Sequence, residues 1–220
     1  MEKYLDVLIK CNLFENIEAE DLESLLLCLN YRIKKYNKNE IIILPGDKVD
    51  FIGIVLDGTA EITKNNALGD SILLSKLNSS QIFAEAIVCG DLNISPVTVA
   101  SLSESVIMYV SYNKIMSICS NTCTFHSRLI YNMVKIIAKK NIVLNDKIDL
   151  LSSKTIKEKI NLYLSKQMEI NKSNKFKISF SRSELADFLN VNRSSLSREL
   201  SNMQNEGLIK FNKNNFEIIP

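Results

Sequence analysis

Apolar and polar positions along this 220-residue chain change their period twice. Residues 2–29 carry apolar side chains at helical spacing, with a break at Asn12–Glu15 and a second helix expected over Ala19–Leu29. From Tyr31 to Val110 the pattern becomes short apolar runs punctuated by Pro, Gly, Asn and Asp. The runs are Glu40–Leu44, Phe51–Leu56, Ala60–Lys64, Ser71–Leu77, Val97–Ser101 and Val106–Val110. Strands this short at such spacing predict an antiparallel barrel or sandwich. Pro45-Gly46-Asp47 and Leu56-Asp57-Gly58-Thr59 supply turns, and Asp57-Gly58 is the stronger signal.

The period is helical again from about Asn113 to about Leu151. One stripe runs through Leu129, Met133, Ile136 or Ile137, Lys140 and Leu144. A neighbouring stripe runs through Ile130, Val134, Ile137, Asn141 and Ile148. A helix with two apolar stripes can pack on its own barrel and on a second copy of itself, or serve only as the core helix of one subunit. Leu129, Met133, Ile136, Ile137, Lys140 and Leu144 are the candidate dimer contacts. Polar Lys140 and Asn141 at seam positions suit a coiled coil that uses them for register. Ser152-Ser153 is a candidate hinge, Thr155 begins a helix over Ile156–Gln167, Asn171–Asn174 is a polar loop, and Lys175–Phe180 is a short strand. The expected organisation is a barrel over residues 1–112, a helix over 113–151 and a C-terminal domain over 152–220.

That last domain carries the sharpest signal, SRSELADFLNVNRSSLSRELSNMQNEGLIKFNKNNFEI at Ser181–Ile218. Ser181 and Glu184 have the spacing of a capping box. Leu185, Phe188 and Leu189 share one helical face. Asn190-Val191-Asn192 breaks the helix, because both amides compete for backbone hydrogen bonds, and Val191 plugs the angle between the helices. A second helix starts at Arg193 with Asn192 as its N-cap. Leu196, Leu200 and Met203 then face inward, and Arg193, Ser194, Ser195, Ser197 and Arg198 face outward. Gly207 stops this helix. Leu208–Phe211 and Phe216–Ile219 flank the polar turn Asn212–Asn215. Helix, turn, helix and hairpin make a winged helix-turn-helix. Two Arg and three Ser on an exposed helix suit a major groove, since Arg can take guanine O6 and N7 with two hydrogen bonds. The competing reading is a packing hairpin with Arg193 and Arg198 as solvated surface.

Charge supports the first reading. From Asp146 onward the chain holds 13 Lys and Arg against 9 Asp and Glu, whereas residues 1–145 hold 14 against 16. The basic surplus lies with the candidate reader, where phosphate contact needs it. It is modest, so useful affinity calls for a dimer. No apolar run reaches the roughly 18 residues of a membrane span, and MEKYLDVLIK lacks signal-peptide order, so a cytoplasmic location is expected. Cys11, Cys28, Cys89, Cys119 and Cys123 are odd in number and read as free thiols, several of them buried. A metal oxygenase on a small barrel would need two or three His with a carboxylate, and the barrel segment contains no His. No Ser-His-Asp set or Gly-rich phosphate loop is present. No enzymatic activity and no metal site are expected. A ligand-binding module whose reader-like tail serves protein contacts is the remaining alternative.

A barrel, a long helix and a winged helix-turn-helix within 220 residues resemble the Crp/Fnr family of bacterial transcription regulators. The resemblance covers nearly the whole chain. It is closest in RSELADFLNVNRSSLSREL, which is similar to the family's (T/S)R-x-(E/D)-(I/L)-A reader motif. It implies an α+β protein with an N-terminal jelly-roll barrel of the cyclic-nucleotide-binding type, a dimerisation helix and the DNA-reading domain. By the same match Arg182 contacts a phosphate, while Arg193, Ser194, Ser197 and Arg198 face base edges. Ser194 stands where Glu is commoner, so the preferred half-site is expected to differ. Leu56-Asp57-Gly58 resembles the sensor's turn, and Phe83-Ala84-Glu85-Ala86 the start of its phosphate cassette. Phe83, Ala84, Glu85, Ala86, Pro96, Val97 and Thr98 are therefore the candidate effector contacts.

Nucleotide-binding members carry an Arg-Ser or Arg-Thr about ten residues after that Glu. Asn93-Ile94-Ser95-Pro96-Val97-Thr98 has no Arg. A buried cyclic phosphate would lose its strongest charge-assisted partner, so the effector is expected not to be cyclic AMP. Iron–sulfur members use four Cys; Cys11 and Cys28 supply two, and Cys119 and Cys123, expected at i, i+4 on a helix, would have to fold close to supply the rest. Haem-binding members use an axial His or Cys. His126 is the only His, and a lone His at the start of a helix reads first as a surface or interface residue. The family implies RNA polymerase as a further partner, and effector binding that reorients the reader about Ser152-Ser153.

Overall fold

The computed structural model describes residues 2–66, 69–117 and 124–219. Two compact units, Met1–Lys139 and Lys140–Pro220, meet within one long helix.

In the first unit, α1 (Leu5–Ile9), a short turn at Asn12–Phe14 and α2 (Ala19–Leu29) bury Leu8, Leu13, Phe14, Leu22, Leu25, Leu26 and Leu29. Asn30 ends α2 in the left-handed region at φ 49°, which Asn tolerates. Eight strands follow: β1 (Arg32–Tyr36), β2 (Ile41–Ile43), β3 (Phe51–Asp57), β4 (Ala60–Asn65), β5 (Ser71–Leu77), β6 (Ile82–Phe83), β7 (Thr98–Ser101) and β8 (Ser105–Ser111). They form two antiparallel four-stranded sheets, ordered β1-β8-β3-β6 and β2-β7-β4-β5. The non-sequential order within each sheet is that of a jelly roll, as expected. Ile52, Ile54, Ile107, Met108 and Val110 fill the core.

Strand β1 lay outside the apolar runs. Its Arg-Ile-Lys-Lys is exposed at all four positions and only Tyr36 is buried, because it is an edge strand. Lysines on an edge discourage pairing with another chain, and the same lysines hide the strand from a search for apolar residues. Tyr36 and Tyr109 share a buried hydroxyl–hydroxyl bond, and Arg32 lies 5.2 Å from the Tyr109 ring centroid.

The sequence predicts one helix over 113–151, but the structure divides it. Helix α4 (Tyr112–Met116) follows the short α3 (Glu85–Cys89), and Ser117 leaves helical geometry at ψ 134°. Helix α5 spans Thr124–Ser152. Ser competes for backbone hydrogen bonds and favours a break here. In the first unit α5 packs inward through Leu129, Met133 and Ile136. The Asn132 amide donates to Leu13 O at 3.0 Å and to Glu15 O at 2.9 Å. Lys135 pairs with Glu15 at 2.8 Å and holds that carboxyl below its ordinary range.

The second unit begins with the rest of α5. It continues with α6 (Ile156–Asn171), β9 (Lys175–Lys177), α7 (Arg182–Leu189), α8 (Arg193–Asn205), β10 (Ile209–Asn212) and β11 (Asn215–Ile218). Thr155 and Glu158 form a capping box at the start of α6. The sheet order β10-β11-β9 adds β9 to the wing hairpin. Leu150, Ile160, Leu164, Leu185, Leu189, Leu196, Leu200 and Met203 make a separate core.

Candidate nucleic-acid interface

The reader is held by local chemistry first. The Ser181 hydroxyl accepts from Glu184 N at 3.3 Å, and the Glu184 carboxylate accepts from Ser181 N at 2.7 Å. Asn190 closes α7 at φ 51°, and half-buried Val191 packs against the core between the helices. Asn192 caps α8, accepting from Ser194 N at 2.9 Å and from Ser194 Oγ at 2.7 Å. Gly207, at φ 77°, follows the end of α8 and frees the chain to enter the wing.

Non-local contacts then fix α7. Lys159 Nζ donates to Leu189 O at 3.2 Å, and Lys147 Nζ donates to Phe188 O and lies 3.8 Å from the Phe188 ring centroid. Both ammonium groups sit at the carbonyl end of α7, where the helix dipole favours a cation. Burial, with the neighbouring Lys159, pushes the Lys147 ammonium below its ordinary range. Tyr163, Phe180 and Phe188 cluster with ring centroids 5.1–6.2 Å apart. Neither lysine carried a sequence signal, because the contacts join positions 41 and 30 residues apart.

The residues expected to read DNA fall on the outer side of this frame. Arg193, Ser194 and Arg198 are exposed, and Ser195 and Ser197 are half-buried. Leu196, Leu200 and Met203 on the opposite side are buried. Arg182 reaches the wing: its guanidinium is 5.1 Å from the Phe211 ring centroid and donates to Lys213 O at 3.4 Å. Burial, and then the charge of Arg193, push Arg182 below its ordinary range. Two guanidinium groups that repel each other would gain from an anion between them, which is what a phosphate supplies.

The candidate effector residues lie in two segments. Phe83 is buried and covers Gly53, Ala84 sits at φ 68°, and Glu85 is only 4% exposed at the start of α3. Ala86 and Pro96 are exposed, and Val97 and Thr98 are half-buried. The Ser95 hydroxyl donates to Val97 O at 2.8 Å and accepts from Val97 N at 3.2 Å, closing this segment on itself. Tested against a cyclic nucleotide, these residues do not fit: Glu85 is in place, but 93–98 offers a hydroxyl turn where a guanidinium is needed.

The candidate dimer residues divide. Leu129, Met133 and Ile136 belong to the first unit's own core, so they are not available to a second copy. Ile137 is half-buried, and Lys140 and Leu144 are exposed. The open stripe is the neighbouring one. It carries Val134 (61% exposed) in the first unit and Ile148 (52%) in the second, and Leu144 (60%), which the sequence pattern grouped with the first stripe, and Leu151 are exposed beside it. Exposed Ile142 and Val143 lie outside that stripe. Two apolar stripes were legible in the sequence; which of them faces the core was not, because both are equally apolar.

Family comparisons agree with this geometry. The family described as "Cyclic nucleotide-binding domain" matches residues 33–122, and the one described as "Crp-like helix-turn-helix domain" matches residues 159–219. The chain belongs to the Crp/Fnr family. It is a DNA-binding transcription regulator of that type, with a sensory domain. Solved structures show the same fold. The catabolite activator protein of Thermus thermophilus is 18% identical over 94% of this chain and 93% of its own, with a TM-score of 0.55. The global regulator CLP of Xanthomonas campestris is 16% identical over 92% and 100%, with a TM-score of 0.59. The sensor domain of the regulator DNR of Pseudomonas aeruginosa is 18% identical over 70% and 97%, with a TM-score of 0.52. No curated protein sequence matches the chain.

Other sensing chemistries of the Crp/Fnr family would draw on the Cys residues and His126. Cys119 and Cys123 lie outside the described residues. Among the described residues no three His, Cys, Asp or Glu side chains converge on a metal-sized site, and no helix is long and apolar enough to cross a membrane. His126 is not a surface residue: it is 7% exposed, and among the described residues its Nδ1 has no partner. Burial pushes the Cys11 thiol up to about 11, whereas Cys28 is exposed. Reactivity follows the thiolate and its access. Iodoacetamide labelling followed by peptide mass spectrometry is therefore expected to modify Cys28 well before Cys11.

Proposed function

We propose that this Crp/Fnr-type regulator acts as a homodimer on an inverted-repeat operator, under control of an effector other than cyclic AMP. The exposed recognition surface of α8 carries the reading. Arg193, Ser194, Ser197 and Arg198 would face base edges, with Arg182 and Ser195 towards the backbone. Lys147 and Lys159 hold α7, and thereby the turn into α8, so that these side chains leave a rigid frame. A two-fold dimer places its recognition helices in successive major grooves, with half-sites one turn, roughly 34 Å, apart. Ser194 in place of Glu implies an operator sequence of its own.

The effector would act at the sensory domain, around Glu85, by favouring one of two states of different DNA affinity. The lack of Arg in 93–98 argues against a cyclic phosphate there. Haem is the second reading, and the buried Nδ1 of His126, without a partner among the described residues, is the observation that favours it. RNA polymerase is the further partner and the cytoplasm the setting that such a role requires.

Selection of random duplex DNA on the full chain, with and without oxygen, tests the reading. Enrichment of an inverted repeat, with affinity unmoved by millimolar cyclic AMP, is the expected result. A cyclic-AMP-dependent gain would overturn the effector assignment. A Soret band in the same sample would establish haem.

A further inference from the structure

Counting along α5, Ile130, Val134, Ile137, Asn141, Leu144, Ile148 and Leu151 recur at alternating steps of four and three. That is the heptad seam of a two-stranded coiled coil, with Val134, Asn141 and Ile148 at a and Ile130, Ile137, Leu144 and Leu151 at d. In the second unit Asn141, Leu144, Ile148 and Leu151 are all exposed; in the first, Val134 is exposed and Ile130 and Ile137 are half-buried. In the second unit, β-branched Ile148 at a with Leu144 and Leu151 at d favours two parallel strands, whereas Ile130 and Ile137 at d in the first do not, which leaves the choice of a pair to Asn141. A stripe that is its own complement takes a second copy of this chain as its occupant.

We infer that Asn141 is the residue that specifies register, parallel orientation and a pair of chains in this dimer. The inference rests on the homodimer reading and deepens it. Asn141 is the one polar member of the stripe. Asn145 Nδ2 donates to Asn141 Oδ1 at 3.0 Å, which orients the amide on its own helix and leaves the Asn141 Nδ2 donors for the partner's Asn141. An a-position Asn meets its own copy only when the two helices are parallel and in register. Any slip buries the amide against isoleucine or leucine without a partner, which is costly.

Charge points the same way. The e positions Tyr131, Ala138, Asn145 and Ser152 carry none, and the g positions include Lys140 and Lys147. A parallel pair sets Lys140 beside the partner's Asn145. An antiparallel pair sets g beside g, lysine on lysine, which is repulsive. With no e–g ion pairs to choose the register, the choice falls to Asn141.

The experiment uses the full chain as Leu144→Cys and as Leu144→Cys/Asn141→Val, with sedimentation equilibrium and mass spectrometry of disulfide-linked peptides. With Asn141 present, a dimer is expected whose seam disulfide joins position 144 to the same position of its own copy. The Asn141→Val chain is expected to associate at least tenfold more tightly, to populate species larger than a dimer, and to lose the single cross-link at position 144. A valine variant that stays a dimer with an unchanged cross-link would overturn the role of Asn141 and leave the homodimer standing. A chain with Asn141 that is monomeric at micromolar concentration, without the cross-link, would overturn the homodimer itself and this role with it.

Discussion

Replacing Arg198 with alanine is expected to weaken operator binding by about 1–3 kcal/mol per half-site, the usual worth of a bidentate base contact. Over two half-sites this is a loss of about 30-fold to more than 10⁴-fold. Arg198 lies on the exposed side of α8, two positions from fully buried Leu196 and Leu200, so its removal leaves the reader's core untouched. The loss is expected on the selected operator and not on random duplex, and sequence choice is expected to relax at one position of each half-site. Arg198→Lys keeps the charge but not the fork that meets guanine O6 and N7, so it is expected to recover non-specific affinity without specificity. Competition binding against both duplexes at fixed salt measures this. An equal loss on both would place Arg198 on the phosphate backbone.

The second large effect is expected far from the reader. Strand β3 lies between β8 and β6, and Gly53 on it is covered by the Phe83 ring. A methyl group at position 53 would fall 2.1 Å from Phe83 Cζ and 2.4 Å from Cε1. Phe83 is 1% exposed, so the ring has no solvent to move into. Overpacking of this kind costs about 1–3 kcal/mol and sometimes more. For a chain of this size each kcal/mol moves the melting temperature by about 2–4 °C. Gly53→Ala is therefore expected to lower the melting transition of the sensory domain by several degrees. Phe83→Leu added to it is expected to recover part of the loss, because leucine lacks the outer ring atoms, and the two changes should be strongly non-additive. Since Phe83 leads into Ala84 and Glu85, the same displacement should also disturb effector response. A calorimetric scan in which Gly53→Ala melts like the parent would show that the ring has room to yield.

The parts of the fold legible in the sequence are those written by local chemistry. Ser181 with Glu184, Asn192 as a cap and Gly207 as a stop lie within a few residues of what they control, and each has that role in the structure. Asp57-Gly58 was legible as a turn for the same reason, but β3 and β4 on either side of it belong to different sheets, so it is not the hairpin its sequence suggests. Strand β1 was not, because its cationic edge carries no apolar period. The roles of Lys147 and Lys159 were not, because a lysine on a distant carbonyl leaves no local mark. The candidate dimer contacts show the limit most clearly. Periodicity located both stripes on α5, but only packing told which one the core had taken. Burial of His126 belongs with these, since no neighbour in sequence announces it.

Insertion of about five base pairs between the half-sites of the selected operator tests the central claim most directly. Half a helical turn moves one half-site to the opposite face of the duplex, where a two-fold dimer cannot engage both. The expected result is two chains per parent operator and, on the lengthened one, affinity reduced to that of a single half-site. Equal affinity for the two duplexes, or one chain per operator, would contradict a homodimeric reader.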